Sequence, residues 1–156
     1  MGTIPNQLID QVRSTQAQLT NLLKSVAVDQ DWQPAPGEWS VRSIAAHLAT
    51  VDKECYQDRV VRIAAGESPR FESYFNTDRD FSKSDLPDSL HAWAVTRAEI
   101  ITYVCAMSAE QFSLTGTHAA FGTLTVQRVL ELMLEHDQEH IRDLEKSISV
   151  YRSQIH

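Results

Sequence analysis

The stretch Leu134-Glu135-His136-Asp137-Gln138-Glu139-His140-Ile141 places two histidines four residues apart in a long segment with helical periodicity. On an α-helix such residues share one face, about 40° apart around the axis and about 6 Å apart along it. His136 and His140 can therefore bind one metal ion together. They lie on or beside an apolar stripe, which predicts that they face the protein interior; the stripe consists of Val126, Val129, Leu130, Met133, Ile141, Leu144, Ile148 and Tyr151.

The histidine pair has two interpretations. Buried imidazole nitrogens must be hydrogen-bonded, ionised or coordinated, so the pair is either a metal site or a structural pair bound to protein groups. A third ligand would favour the metal site. His47 is the best candidate, because it lies beside the buried stripe of another predicted helix. The alternative for His47 is a core histidine hydrogen-bonded to a backbone carbonyl.

Four segments with helical periodicity predict an all-α fold, a four-helix bundle without a sheet. The predicted helices span about residues 4–28, 41–65, 86–107 and 126–152. Ser40, Asp85 and Thr125 are predicted N-caps, because their side-chain oxygens can accept a backbone hydrogen bond in the first turn. A longer crossover loop joins helices two and three, and a second loop precedes helix four. A short strand in either loop is left open.

The composition favours one soluble domain comprising residues 1–156, since the chain is 42% hydrophobic and 22% charged. The net charge of −7 disfavours nucleic acid or an anionic membrane as the main partner. Met1 to Asp10 contain neither a basic leader nor an apolar run, and no stretch approaches the roughly 20 apolar residues that span a bilayer. We therefore expect a cytoplasmic protein. Cys55 and Cys105 are predicted to be buried small residues without a disulfide.

A second stretch of the sequence, considered together with the histidine pair, resembles a known family. This stretch is Pro36-Gly37-Glu38-Trp39-Ser40-Val41-Arg42-Ser43-Ile44-Ala45-Ala46-His47-Leu48. Together with Glu54 and the stretch quoted first, it resembles the DinB-like superfamily of metal-dependent enzymes. The resemblance covers nearly the whole chain in the family's order, including the region of Trp93 and Arg97.

The resemblance implies a four-helix bundle that holds a divalent ion with one histidine of helix two and two of helix four, which here match His47, His136 and His140. It also implies a homodimer. Relatives include bacillithiol S-transferases and a mycothiol-dependent maleylpyruvate isomerase, so the implied partners are a small-molecule thiol and an electrophilic substrate. Zinc and nickel both suit imidazole ligands.

Three protein ligands leave a coordination position open, as catalytic sites require. Our leading hypothesis is a thiol S-transferase, because a bound ion holds a thiol as the nucleophilic thiolate. Water in the open position would make the protein a metal-dependent hydrolase instead. The third alternative is a non-enzymatic, dimeric metal-binding or stress-response module, since a metal site does not establish turnover.

Glu54 and Arg97 are the candidate catalytic residues beside the metal ligands. Glu54 lies two turns after the histidine of helix two, at nearly the same phase, so it is a candidate hydrogen-bond acceptor, general base or ion-pair partner of Arg97. We favour the ion pair. Arg97 interrupts the apolar stripe of helix three and either orients an acidic substrate or forms a structural salt bridge. Asp137 and Glu139 are assigned to a solvated helix face. His118 in the second loop could approach the metal, but we favour a capping or surface role.

Overall fold

The computed structural model describes residues 4–155, which form the predicted four-helix bundle. The helices are α1 (Asn6–Lys24), α2 (Val41–Val51), α3 (Asp58–Ala64), α4 (Leu86–Cys105), α5 (Ala109–Phe112) and α6 (Val126–Gln154). A 3-10 turn spans Ala27–Asp29, and the π-helical segment Asp52–Gln57 joins α2 to α3 in one rod. His156, for which the sequence suggests no role, lies outside the described residues, as does the start of the N-terminal segment, residues 1–3.

The long rods pack in pairs, with α1 against α6 and α2 against α4. The predicted N-caps are confirmed: Ser40, Asp85 and Thr125 each accept a hydrogen bond from the backbone N–H three residues later. Because these caps fix where the helices begin, they also fix which side chains face the interior. Within residues 4–155, none of the helices combines the length and the apolar character that crossing a bilayer requires.

The expectation of a bundle without a sheet is wrong in one detail, because the two loops form a small sheet. Its strands are β1 (Arg70–Phe71), β2 (Gly116–His118) and β3 (Gly122–Leu124), in the order β1-β2-β3. Such short strands are too brief to show a period in the sequence. Gly116 permits the approach of β1, since a Cβ there would lie 3.0 Å from the Pro69 carbonyl oxygen. The parallel register then places Phe71 opposite His118.

The core consists of two apolar clusters with a polar layer between them. On α4, Arg97 lies between Trp93 of one cluster and Ile100 of the other, and Asp137 holds the equivalent position on α6. Each of the four rods contributes one buried side chain to this layer. We call the layer the arginine network; its members are Thr15, Asp52, Arg97 and Asp137.

All the N–H donors of Arg97 find acceptors inside the bundle. Arg97 donates to Asp52 at 2.8 and 3.0 Å and to Asp137 at 2.8 and 3.2 Å. It also donates to the Val12 carbonyl oxygen at 2.9 Å, and the Thr15 hydroxyl donates to Asp137 at 2.6 Å. Burial opposes the charge of Arg97, but the two carboxylates raise its pKa above the usual value. Arg97 is therefore a permanent cation inside the bundle.

Two predictions about these charges are wrong. Arg97 pairs with Asp52 and Asp137 rather than with Glu54, and Asp137 is 1% exposed rather than solvated. α-Helical geometry places Glu54 at nearly the phase of His47, but the intervening π-helical turn rotates less per residue, so Glu54 faces outward. With its donors all engaged and its side chain sealed, Arg97 has no group free for a substrate.

Candidate metal centre

Helices α2 and α6 bring three histidines together. One ring nitrogen each of His47, His136 and His140 lies within 4.8 Å of the other two. The Nε2 atoms of His136 and His140 are 3.1 Å apart. Two nitrogen ligands at about 2.1 Å from a tetrahedral ion are separated by about 3.4 Å, so this spacing suits a shared ion. We call this group the tri-histidine centre.

The protonation of the tri-histidine centre also suits a metal. Burial, together with the two other rings and the charge of Arg97, lowers the pKa of His136 to about 3. Burial likewise lowers the pKa of His47 to about 4, although a hydrogen bond to Asn76 opposes the shift. The pKa of His140 is lowered by burial, too, against the effect of nearby carboxylates. All three rings are therefore neutral near pH 7, which is the form that coordinates a metal.

A chain of hydrogen bonds orients His47. Its Nδ1–H donates to Asn76 Oδ1 at 2.6 Å, which leaves the lone pair on Nε2 free. Asn76 Nδ2 donates to the Tyr74 hydroxyl at 3.3 Å, and that hydroxyl donates to Glu54 at 2.9 Å. Glu54 also accepts two hydrogen bonds from Arg79, at 2.6 and 2.8 Å. Hydrogen bonds of this kind fix the ring orientation of a histidine ligand and raise its basicity.

Glu54 is therefore connected to the tri-histidine centre without touching it. Hydrogen bonds from Arg79 lower the pKa of this exposed carboxylate, with Tyr74 adding to the effect. Asn76, which does contact His47, lies 29 residues after it in the crossover loop. Nothing in the sequence of that loop has a period, so sequence reasoning missed Asn76.

A cavity of about 630 Å³ lies beside the tri-histidine centre, and His47 and His136 form part of its wall. This volume is within the range of small-molecule sites. Tyr56 lines the cavity with its ring 6.1 Å from that of His136, and the crossover loop contributes further lining residues. The indole of Trp39 packs against His47, at 4.4 Å between ring centroids. The tri-histidine centre thus has protein on one side and substrate-sized space on another.

The remaining predicted residues have mixed outcomes. His118 is 2% exposed and has the predicted capping role, because Nδ1 accepts hydrogen bonds from the N–H groups of Ala120 and Phe121. It also lines the cavity beside the tri-histidine centre, and it is buried rather than at the surface. Both cysteines are free; Cys55 is buried as predicted, but Cys105 is exposed, contrary to the prediction. Burial raises the pKa of the Cys55 thiol to about 11, so the thiol is protonated.

Comparisons with known proteins agree with this description. The family model of the DinB superfamily matches residues 11–144. The fold is similar to that of YfiT from Bacillus subtilis, described as a probable metal-dependent hydrolase with an unusual four-helix bundle topology. The two structures have a TM-score of 0.76 and 19% sequence identity over 91% of this chain and 84% of that chain, which shows a shared fold. No curated protein matches the chain significantly.

Proposed function

The chain belongs to the DinB superfamily, and from this premise we propose that it is a divalent-metal-dependent enzyme whose ion is held by His47, His136 and His140. One observation carries the proposal: three neutral imidazoles from two helices converge beside a substrate-sized cavity. The arginine network shows that this bundle can satisfy buried polar groups internally. At the tri-histidine centre, by contrast, ring nitrogens face one another.

The reaction we propose is the transfer of a small thiol to an electrophilic carbon. A bound divalent ion supplies Lewis acidity, which holds a thiol as thiolate near neutral pH. The three histidines are neutral and so bring no negative charge, which favours an anionic fourth ligand. Asn76 holds His47 in the tautomer that leaves Nε2 free. In the transfer, sulfur forms the new bond to carbon, the leaving group departs with its electron pair, and the thiol proton passes to solvent.

The state of the carboxylates nearest the tri-histidine centre favours a thiol over water as the nucleophile. Asp137 is held by Arg97, and Glu54 is held by Arg79. Glu135 and Glu139 line the cavity but are exposed. Among residues 4–155 we therefore find no buried carboxylate free to act as a general base. A thiol, with a pKa of about 8.5, loses its proton to solvent far more readily than water does, so it depends less on such a base.

Hydrolysis is the second candidate function, with two observations in its favour. YfiT, which shares the fold, is described as a probable metal-dependent hydrolase. Glu139 lines the cavity and forms no ion pair with any residue that the structure describes. In a hydrolase, Glu139 would accept the proton of the attacking water.

A thiol-transfer assay tests the leading proposal. The purified protein, loaded with Zn²⁺ or Ni²⁺, is mixed with low-molecular-weight thiols and 1-chloro-2,4-dinitrobenzene, and formation of the thioether is followed by absorbance. We expect a metal-dependent rate that is lost in His140→Ala and retained in His91→Ala, which changes an exposed histidine. Metal-dependent hydrolysis of p-nitrophenyl acetate without thiol transfer would favour the second candidate. Rates equal to those of metal-free protein in both assays would refute both.

A further inference from the structure

Arg59 is a buried cation without an anionic partner. It lines the cavity beside the tri-histidine centre and is 6% exposed. Its Nη2 donates to the Glu72 carbonyl oxygen at 3.1 Å, and its guanidinium packs on the Phe71 ring with Cζ at 5.3 Å from the centroid. Within the described part of the chain it forms no ion pair. A buried charge is costly unless paired, so an occupied cavity is expected to supply the anion.

His118 adds a neutral donor next to this cation. The register of β1 and β2 places it opposite Phe71, the residue on which Arg59 packs, and it lines the same cavity. Its Nδ1 accepts two backbone N–H groups, so its proton resides on Nε2. Burial and the charge of Arg59 lower the pKa of His118, with Glu72 opposing them. Arg59 and His118 therefore present donors and no free acceptor.

The charge of this pair selects the kind of anion. A guanidinium with a neutral imidazole carries one positive charge, which a carboxylate balances. A phosphate dianion would leave one negative charge uncompensated in a largely buried place. The planar fork of a guanidinium also matches the two oxygens of a carboxylate. A carboxylate group is therefore the best complement to Arg59 and His118.

Arg59 and His118 lie close enough to the tri-histidine centre for one small molecule to reach both. The Tyr56 ring lies 6.1 Å from that of His136, and Arg59 follows Tyr56 by three residues, less than one turn further along the same rod. A small molecule can thus reach both places within one cavity. The apolar side chains of Leu132 and Phe121 line that cavity as well and suit a carbon skeleton.

We propose that Arg59 and His118 form a carboxylate-binding subsite, so that the substrate of the tri-histidine centre carries a carboxylate at one end and its reacting group at the other. The inference rests on the proposed function in taking the cavity as the substrate site. Binding of the carboxylate itself needs no metal, so the subsite is tested separately from turnover.

The test measures binding of an acid against its neutral counterpart. The full-length protein is freed of metal with a chelator, so that a carboxylate has no ion to coordinate. It is titrated by isothermal calorimetry with 3-phenylpropionate, 3-phenylpropanamide and phenyl phosphate. We expect the acid to bind at least about tenfold more tightly than the amide, since its charge-assisted hydrogen bonds are lost in the amide. We expect phenyl phosphate to bind more weakly than the acid.

Two matched variants assign the preference to Arg59. In Arg59→Gln the ratio between acid and amide should fall to within about twofold. In Arg62→Gln the ratio should stay unchanged: Arg62 packs on the same Phe71 ring, at 5.1 Å, but pairs outward with Asp58 and Glu67. If Arg59→Gln does not fold, the Nε–H resonance of Arg59 in the wild type serves instead. It should shift on addition of the acid and not of the amide.

Equal affinity for acid and amide in the wild type, or a preference that survives Arg59→Gln, would overturn the proposal. Tighter binding of phenyl phosphate would overturn the carboxylate assignment. These results do not depend on the thiol-transfer assay. A protein without turnover can still prefer the acid, and one without that preference can still transfer thiols to uncharged electrophiles.

Discussion

The bundle contains two buried polar groups that meet on α6, where His136 precedes Asp137. In the arginine network, every donor of Arg97 has a protein acceptor, and the carboxylates are matched by the guanidinium and by Thr15. In the tri-histidine centre, the Nε2 atoms of His136 and His140 face each other across 3.1 Å. The first group is sealed between the apolar clusters, whereas the second lies at the wall of a cavity.

This difference separates a structural polar group from a binding site. Both groups consist of titratable side chains in a low-dielectric interior, so burial alone does not distinguish them. The two groups differ in what they leave free for a ligand. The arginine network has no hydrogen-bonding capacity left, whereas His136 and His140 contact only each other through Nε2, and both nitrogens can donate their lone pairs to an ion instead. Changes in the first should therefore affect folding, and changes in the second should affect metal binding.

The largest loss of stability is expected when the cation of the arginine network is removed. Arg97→Met leaves Asp52 and Asp137 as buried carboxylates without a cation, and breaking a buried pair in this way costs about 3–5 kcal/mol. Urea denaturation of the metal-free protein measures the free energy of unfolding. The control Arg62→Met removes ion pairs at the surface, which contribute little, so its loss of stability should be far smaller. An equally small loss in Arg97→Met would contradict the structural role of the network.

The next effect is the stabilisation of the folded protein by a metal ion at the tri-histidine centre. A divalent ion at a free concentration about 100 times its dissociation constant should stabilise the wild type by about 2.7 kcal/mol. His47→Ala and His136→Ala should show no such stabilisation, because each lacks one ligand. Elemental analysis should find stoichiometric metal in the wild type and loss of metal in both variants. Equal metal content in all three proteins would eliminate the centre as a metal site.

The pH dependence of the free energy of unfolding should report on His47 of the tri-histidine centre. In the unfolded chain His47 binds a proton with the usual histidine pKa of 6.5, whereas burial in the folded protein lowers its pKa to about 4. Between these values the unfolded state binds more protons, so the stabilisation is complete above pH 6.5 and declines as the pH falls through 4. The loss attributable to His47 should be on the order of 3 kcal/mol, obtained as the difference between metal-free wild type and His47→Asn. Parallel pH profiles of these two proteins would contradict the lowered pKa.

Features set by local periodicity were predictable from the sequence. The apolar stripes gave the four rods, and short-range capping gave their starting points at Ser40, Asp85 and Thr125. The spacing of His136 and His140 predicted that the two side chains lie on one face of α6, because residues four apart in an α-helix are neighbours. The choice of His47 depended more on the family resemblance, since the approach of its side chain to His136 and His140 is a long-range property.

The arginine network has a signature in the sequence, which is the position of two charged residues within apolar stripes. Asp137 lies four residues from both Met133 and Ile141, so it occupies the centre of the α6 stripe. A carboxylate in that phase, together with an arginine interrupting the stripe of α4, predicts a buried pair. Asn76 and His118 gave no comparable signal, because they lie in loops whose path depends on tertiary contacts.

The smallest effects, on metal affinity, should come from the chain of hydrogen bonds that leads from His47 of the tri-histidine centre to the surface. Asn76→Leu removes the acceptor of His47 Nδ1–H and should weaken metal binding by about 10- to 100-fold, as loss of such partners does at other metal sites. Glu54→Gln acts two hydrogen bonds further out, through Tyr74, and should weaken binding less than Asn76→Leu does.

Competition with a chelating indicator measures both dissociation constants, and urea denaturation of the metal-free variants shows whether folding is unchanged. A graded effect would mean that the protein tunes the open centre from its surface, which the sealed arginine network does not allow. Identical affinities in wild type and Asn76→Leu would show instead that the ring of His47 is held by packing against Trp39 alone.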